Sequence, residues 1–307
     1  MLFRNAALAL ALAGLTASGA QAQELTGTLK KIKETGTITL GHRDSSVPFS
    51  YYDDKQQVVG YAAELCYKLA DAVKAALKDD KIQVKLNPVT SATRIPLVAN
   101  GTVDLECGST TNNLDRQKQV AFTITHFVTA NRFLSKKSAN LKTLEDLKGK
   151  TVVSTSGTTN IKQINELNGE MKLGMTILPA KDHAEAFLMV ETDRAAAFVM
   201  DDVLLASLAA TSKSPNDYAI SEKALSVEPY GIMLRRDDPA FKKVIDEAMT
   251  KIYTSGEITQ LYDKWFTKPI PPKNVNLNLP MSPAFKQVVA KPTDSGDPKD
   301  YEVKSSM

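Results

Sequence analysis

The sequence predicts an α/β fold assembled from two successive units, and three observations lead there. Short apolar or alternating runs suited to strands are separated by segments with helical periodicity. Twice, at Val103 to Leu105 and at Thr151 to Ser154, such a run opens into a polar loop rich in Ser, Thr and Gly. After Asn131 the alternation begins afresh, so a second unit starts near residue 130.

Taken in order, Arg4, the apolar Ala6 to Leu15 and Ala20-Gln21-Ala22 read as a signal peptide, residues 1–22, cleaved after Ala22. The stretch is too short and Ala-rich for a stable membrane span, and no cysteine stands near the cleavage point to accept a lipid. An exported, unanchored protein follows, most simply in the periplasm. Removing 22 of 307 residues leaves 285, enough for two ordinary domains. Thr37 to Leu40 opens the first unit as a strand. Gly60 to Leu77 places Tyr61, Leu65, Leu69, Ala72, Val73 and Ala76 on one face, an amphipathic helix for packing on a sheet. Ile82 to Leu86 is the next strand. Ser91 to Asn100 is a second helix, capped by Thr90 or Ser91, with Pro96 tolerated near its start and Gly101 at its exit. Val103 to Leu105 then ends as a strand, and its polar sequel, Gly108 to Asn113, falls where ligands bind in open α/β sheets.

In the second unit Thr151 to Ser154 is a strand, Thr155 to Thr159 a turn, and Asn160 to Leu167 a helix, with further strands at Thr176 to Leu178 and Ala196 to Met200. The unit runs out around Glu228, where Pro229-Tyr230-Gly231 leads into strand Ile232 to Leu234 and helices Pro239 to Thr254 and Gly256 to Phe266. Seven prolines from Pro269 to Pro298 mark a tail wrapped on the surface and fraying toward Met307.

Composition, at 43% hydrophobic and 24% charged, is that of an ordinary globular chain. The formal charge of +3 falls to +2 without Arg4, and lysines alternate with acids, as in Leu141 to Lys150, which argues against a nucleic-acid or anionic-membrane partner. In an oxidising compartment the two cysteines, Cys66 and Cys107, favour a disulfide over two small buried thiols. Three histidines without H-E-x-x-H or G-x-S-x-G leave no metal, cofactor or catalytic residue expected.

Two stretches carry the chemistry. Cys107 to Arg116 offers hydroxyls and an arginine to a carboxylate, and Met200-Asp201-Asp202, behind an apolar run, offers a carboxylate to an amine. These are the complements of an amino-acid zwitterion. Read locally, Arg116 also fits a solvated helix face, Asp201 a helix N-cap and His183 a surface or capping residue.

These stretches, with Gly41-His42-Arg43 to Tyr51-Tyr52, Thr155-Ser156-Gly157-Thr158-Thr159, Ala180-Lys181-Asp182-His183 and Ile270-Pro271-Pro272-Lys273-Asn274, resemble the periplasmic amino-acid-binding proteins of ABC importers, most of all those for glutamate and aspartate. The resemblance runs over the mature chain to about Pro283. It implies a two-lobe periplasmic binding protein fold with two crossover strands and a central ligand cleft. Residues 23–128 and 229–283 would form lobe 1, residues 129–228 lobe 2 and residues 284–307 a C-terminal tail, with crossings near Thr125 to Arg132 and Ser226 to Ile232. By the same resemblance Arg116 forks onto a ligand α-carboxylate with help from Thr111, and Asp201, helped by Ser109 and Thr159, takes the ammonium. Arg43, Ser91, Arg94 and His183 look like the grip on an acidic side chain, Ser91 and Arg94 sharing one helix face near its positive end. Three arginines against Asp201 leave two positive charges for two ligand carboxylates. His42 and His126 are left structural, and Tyr51, Tyr52 and Tyr230 read as core or hinge packing.

The expectation is a monomeric receptor, not an enzyme, that captures L-glutamate or L-aspartate and hands it to an ABC importer permease. Glutamine or asparagine as ligand, an enzyme on the same fold, and a sensory domain with a separate membrane partner are the competing readings. An enzyme would need an acid or base beside the ligand's reacting carbon, and the cleft candidates are all accounted for as anchors.

Overall fold

In the computed structural model residues 25–303 are described; the signal-peptide and cleavage readings, and the last four residues of the tail, lie outside them. Two sheets divide the α/β chain into two lobes. The first sheet has the order Gln83–Pro88, Thr37–His42, Leu105–Glu106, Met233–Arg235, Val120–Phe122. Its first three strands are parallel, and Met233–Arg235 runs antiparallel to both neighbours. The second sheet has the order Thr176–Ala180, Thr151–Thr155, Ala197–Asp201, Phe127–Lys136, Tyr218–Ile220, with Ser226–Tyr230 pairing on the same long strand.

That long strand explains how the lobes are joined. Its second half pairs with Ala197–Asp201, from Ala197 opposite Ser135 to Asp201 opposite Asn131. Its first half pairs with Ser226–Tyr230, from Ser226 opposite Asn131 to Tyr230 opposite Phe127. The ladder continues through His126 N–H to Tyr230 O at 2.8 Å and Thr123 N–H to Ile232 O at 3.0 Å, reaching the first sheet at Phe122 and Met233. The chain therefore crosses twice, side by side, as one antiparallel ribbon. Phe49, Tyr61, Phe127, Tyr230 and Phe266 pack edge-on and stacked around it, with Phe49 and Phe127 5.0 Å apart and Phe127 and Phe266 4.8 Å apart. His126 is fully buried in this cluster, and burial pushes its pKa down to about 3, so the ring is neutral packing.

Local differences from the expected elements have identifiable causes. The helix Tyr61–Leu77 buries a wide face that includes Ala62, Cys66 and Ala70 as well as Leu65, Leu69, Val73 and Leu77, and Ala76, though on that face, is exposed in the last turn. Each of these Leu and Val side chains contributes about 1.5–3 kcal/mol by leaving water. The helix expected over Ser91 to Asn100 is only Arg94–Ala99. Thr90 N–H bonds Thr93 Oγ1 at 3.0 Å and Thr93 N–H bonds Thr90 Oγ1 at 3.2 Å, so a side-chain-closed turn replaces the first helical turn. Ser91 is therefore not on a helix face with Arg94. The strand expected at Val103 to Leu105 forms at Leu105–Glu106. The tail is more than a surface wrap: Pro283–Ala290 is a helix capped by Ser282, and Phe285, Val288 and Tyr301 are buried.

Cys66 and Cys107 are joined, with their Cα atoms 6.0 Å apart, tying the helix Tyr61–Leu77 to the loop after Leu105–Glu106. Closing a loop of 41 residues stabilises the fold by about 4 kcal/mol in the chain-entropy model. The double variant Cys66→Ser/Cys107→Ser is expected to lose roughly that much in denaturant unfolding, with a steeper slope against denaturant because the unfolded chain, freed of the cross-link, exposes more surface.

Candidate functional site

Both sheets present the carboxyl ends of three adjacent parallel strands to the same cleft, and the nine predicted ligand residues sit on or near the loops that follow. From the first sheet, Arg43 follows Thr37–His42, Ser91 and Arg94 follow Gln83–Pro88, and Ser109, Thr111 and Arg116 follow Leu105–Glu106. From the second, Thr159 follows Thr151–Thr155, His183 follows Thr176–Ala180, and Asp201 ends Ala197–Asp201. Chain ends of this kind carry backbone polar groups and side chains that the sheet itself cannot satisfy. Eight of the nine are buried and Thr159 is half-buried.

The two sets meet across the cleft. Arg116 Nη2 donates to Gly157 O at 3.3 Å, the Thr111 and Thr159 hydroxyls lie 3.5 Å apart, and Lys162 Nζ is 3.7 Å from Asp115 Oδ2. Gly157, at φ +77°, approaches Ala92 so closely that a Cβ would lie 2.5 Å from its Cα. The cleft is closed.

At the first-sheet end, Arg43 Nη2 donates to Ser91 Oγ at 2.8 Å, and Arg94 Nη1 donates to Ser109 O at 3.1 Å and Thr110 Oγ1 at 2.5 Å. Arg116 Nη1 donates to Thr111 O at 2.7 Å, while Asn113 Oδ1 caps the short helix Leu114–Gln117 by accepting Arg116 N–H at 2.8 Å. Burial first, and repulsion from Arg94 second, lower the pKa of both Arg43 and Arg116, so the three guanidiniums share one desolvated space. Arg43 Nη1, Arg94 Nε and Ser109 Oγ are buried there without a hydrogen-bond partner among the described residues. A buried charged donor left unmatched costs more than the about 1–3 kcal/mol of a neutral one, which marks this face as built for an anion. His183 Nδ1 is 2.8 Å from Thr155 Oγ1, and burial, then Arg43 and Arg94, hold its pKa well below the usual range. It is a neutral imidazole beside the arginines.

Asp201 stands at the N-cap position of the helix Asp202–Thr211 but makes no capping bond. Its carboxylate instead accepts from Asn160 Nδ2 at 2.7 Å and from the Tyr230 hydroxyl. Burial, then the neighbouring Glu228, raise its pKa to about 7, against the opposing pull of these two donors. Glu228 accepts from Thr159 Oγ1 at 2.9 Å and from the Ser226 hydroxyl. With its proton committed to Glu228, the Thr159 hydroxyl has only lone pairs to offer a third group. Two carboxylates and a hydroxyl acceptor form a site for a cation.

Several participants were missed. Glu106, fully buried, accepts from Thr110 Oγ1 at 2.5 Å and thereby backs Arg94; Glu228, Asn160 and Tyr230 complete the acidic end. Tyr230 is thus more than hinge packing. The count of three arginines against Asp201 alone is corrected: Glu106 and Glu228 raise the formal acids to three, so these groups balance instead of leaving a positive surplus. The signal available was position, since Glu106 ends a strand whose loop had already been singled out and Glu228 lies in the expected crossover.

A separate cavity of about 790 Å³ lies behind the ribbon, lined by Phe127, Val203, Tyr262 and Leu279. Of its charged lining residues, Arg132 and Asp202 are paired at 3.1 Å and Glu302 is exposed, so it lacks the convergent buried groups of the cleft. Among the described residues no cluster of three or more His, Cys, Asp or Glu could hold a metal, and no helix is long and apolar enough to cross a membrane.

The chain is 54% identical over 283 residues to the L-glutamate/L-aspartate-binding protein of Pseudomonas aeruginosa, covering 92% of this chain and 94% of the relative. It is 50% identical over 291 residues to the glutamate/aspartate import solute-binding protein of Escherichia coli, covering 94% and 96%. Both relatives are binding proteins, not enzymes. Among solved structures, a mutant of ArgBP from T. maritima superposes with a TM-score of 0.69 at 26% identity, covering 78% of this chain and 99% of that one. Residues 38–268 match the model of the bacterial extracellular solute-binding proteins, family 3. The chain belongs to that family.

Proposed function

We propose that this protein captures L-glutamate or L-aspartate between its lobes in the periplasm and delivers it to the membrane permease of an ABC importer, acting as a monomer. The observation that carries the reading is the buried trio Arg43, Arg94 and Arg116, with one donor each of Arg43 and Arg94 unpartnered among the described residues, facing the acidic group Asp201 and Glu228 across one closed cleft. In this reading Arg116 and Thr111 hold the α-carboxylate, Asp201, Thr159 and Ser109 the ammonium, and Arg43, Ser91, Arg94 and His183 the side-chain carboxylate. Lobe 1 is residues 23–128 and 229–283, and lobe 2 residues 129–228. The relatives named above, at about half identity over nearly their whole length, support this ligand choice.

Calorimetric titration with both enantiomers of glutamate, aspartate, glutamine and asparagine tests it. An acidic L-amino acid should bind at least about 100-fold tighter than its amide, because an amide leaves a buried guanidinium unmatched. Preference for an amide would overturn the reading.

Affinity should also depend on pH. Asp201 is faced by Tyr230 and Glu228 from one strand, Asn160 from the helix after Thr158, Asp202, and the charges of Arg94 and Arg116. An ammonium requires Asp201 ionised, so binding releases its proton below about pH 7. Binding should be flat above pH 7 and weaken by up to about tenfold per pH unit below it. Titration in buffers of different ionisation enthalpy reads the released proton directly.

A further inference from the structure

The family match ends at residue 268, yet residues 293–301 reach back to the loop that carries Arg116. Asn112, fully buried, donates through Nδ2 to Asp294 O at 2.8 Å and Ser295 O at 3.2 Å, and its own N–H bonds Pro229 O of the crossover at 2.7 Å. Gln117 Nε2 joins the same set, donating to Asn112 Oδ1 at 2.9 Å and Asp294 O at 3.1 Å. Gly296 lies flat on the Asn113–Leu114 peptide: a Cβ there would come within 2.8 Å of Asn113 C and 2.9 Å of Leu114 N. The tail is itself anchored, because Thr125 N–H bonds Thr293 O at 2.8 Å and the buried Tyr301 hydroxyl bonds Ser295 O at 2.7 Å and lies 2.7 Å from Thr125 Oγ1.

We propose that the C-terminal segment 293–301 is a brace that positions the Arg116 clamp, with Asn112 and Gly296 as positioning residues that never touch ligand. A helix of four residues, Leu114–Gln117, has too few internal hydrogen bonds to fix Arg116 alone. The brace supplies the missing constraint on both of its flanks, and Arg116 Nη1 on Thr111 O then completes a rigid fork. The proposal rests on the α-carboxylate role given to Arg116 above.

Gly296→Ala pushes a methyl group into the clamp backbone, and Asn112→Asp turns the donor that grips two carbonyl oxygens into an acceptor. Each full-length variant should bind L-glutamate about tenfold more weakly than wild type. Binding of 4-aminobutanoate, which is glutamate without its α-carboxylate, measured by displacement, should change less than about twofold, because the braced arginine has nothing to hold. In the absence of ligand, backbone amides of residues 112–119 should exchange hydrogen faster in both variants while those of the helix His183–Glu191 do not. Equal weakening for both compounds, or unaltered exchange at residues 112–119, overturns the brace. A wild-type chain that fails to bind glutamate contradicts the proposed ligand instead, and the exchange comparison still decides the brace.

Discussion

Replacing Arg94 by Ala should weaken L-glutamate binding by about 4 kcal/mol, close to a thousandfold, while L-glutamine loses far less. Arg94 is almost wholly buried, and its guanidinium is oriented from behind by Ser109 O and by the Thr110 hydroxyl that Glu106 holds. Removing it leaves Arg43 and Ser91 as the only direct grip on the side-chain carboxylate from the first lobe and turns Glu106 from a counter-charge into a repelling one. An amide presents no charge for Arg94 to neutralise, so its affinity depends less on this residue. Arg94→Lys keeps the charge but not the planar fork and should fall between the two. Paired calorimetric titrations with a thermal melt to check folding read the result; equal losses for glutamate and glutamine would remove the side-chain assignment.

Asp201→Asn should weaken every α-amino acid by about a hundredfold, since a buried ammonium then loses its opposite charge. It should also abolish the pH dependence of binding below pH 7, because no proton remains to be displaced. Stability should move the other way. The folded-state pKa of Asp201, about 7, lies above its ordinary value of 3.8, so the ligand-free protein binds the extra proton and loses stability as pH rises between these values. Asn carries no such proton, and the variant without ligand should gain stability relative to wild type at pH 8 but not at pH 4. Denaturant unfolding at the two pH values measures this; a variant less stable at pH 8 would show that ionised Asp201 is already compensated within the protein.

What could be read from the sequence follows from where the information resides. Strand periodicity put Arg43 and Asp201 at strand ends, where an α/β sheet gathers its ligands, but the ligand roles of both, and of Arg116 on the short helix beyond its strand, were legible only through the family resemblance. Ser91 lies beside Arg43 for a reason other than the one expected: the Thr90–Thr93 turn, not a shared helix face, presents it there. Glu106 and Glu228 offered only position as a signal, because a lone acid gives no sign of burial and the groups that satisfy Glu228 include Thr159 from a distant segment. The tail was the largest misjudgement. Its prolines resemble those of a loose terminal wrap, whereas its order comes from partners such as Asn112 and Thr125, more than 160 positions earlier. Contacts of that range leave no local periodicity to detect.

A crystal structure of the protein with L-glutamate tests the central claim most directly. The account requires the side-chain carboxylate within hydrogen-bond reach of Arg43 and Arg94, the α-carboxylate on Arg116, and the ammonium against Asp201. A ligand lying the other way round, with its α-carboxylate on Arg43 and its ammonium away from Asp201, would contradict it.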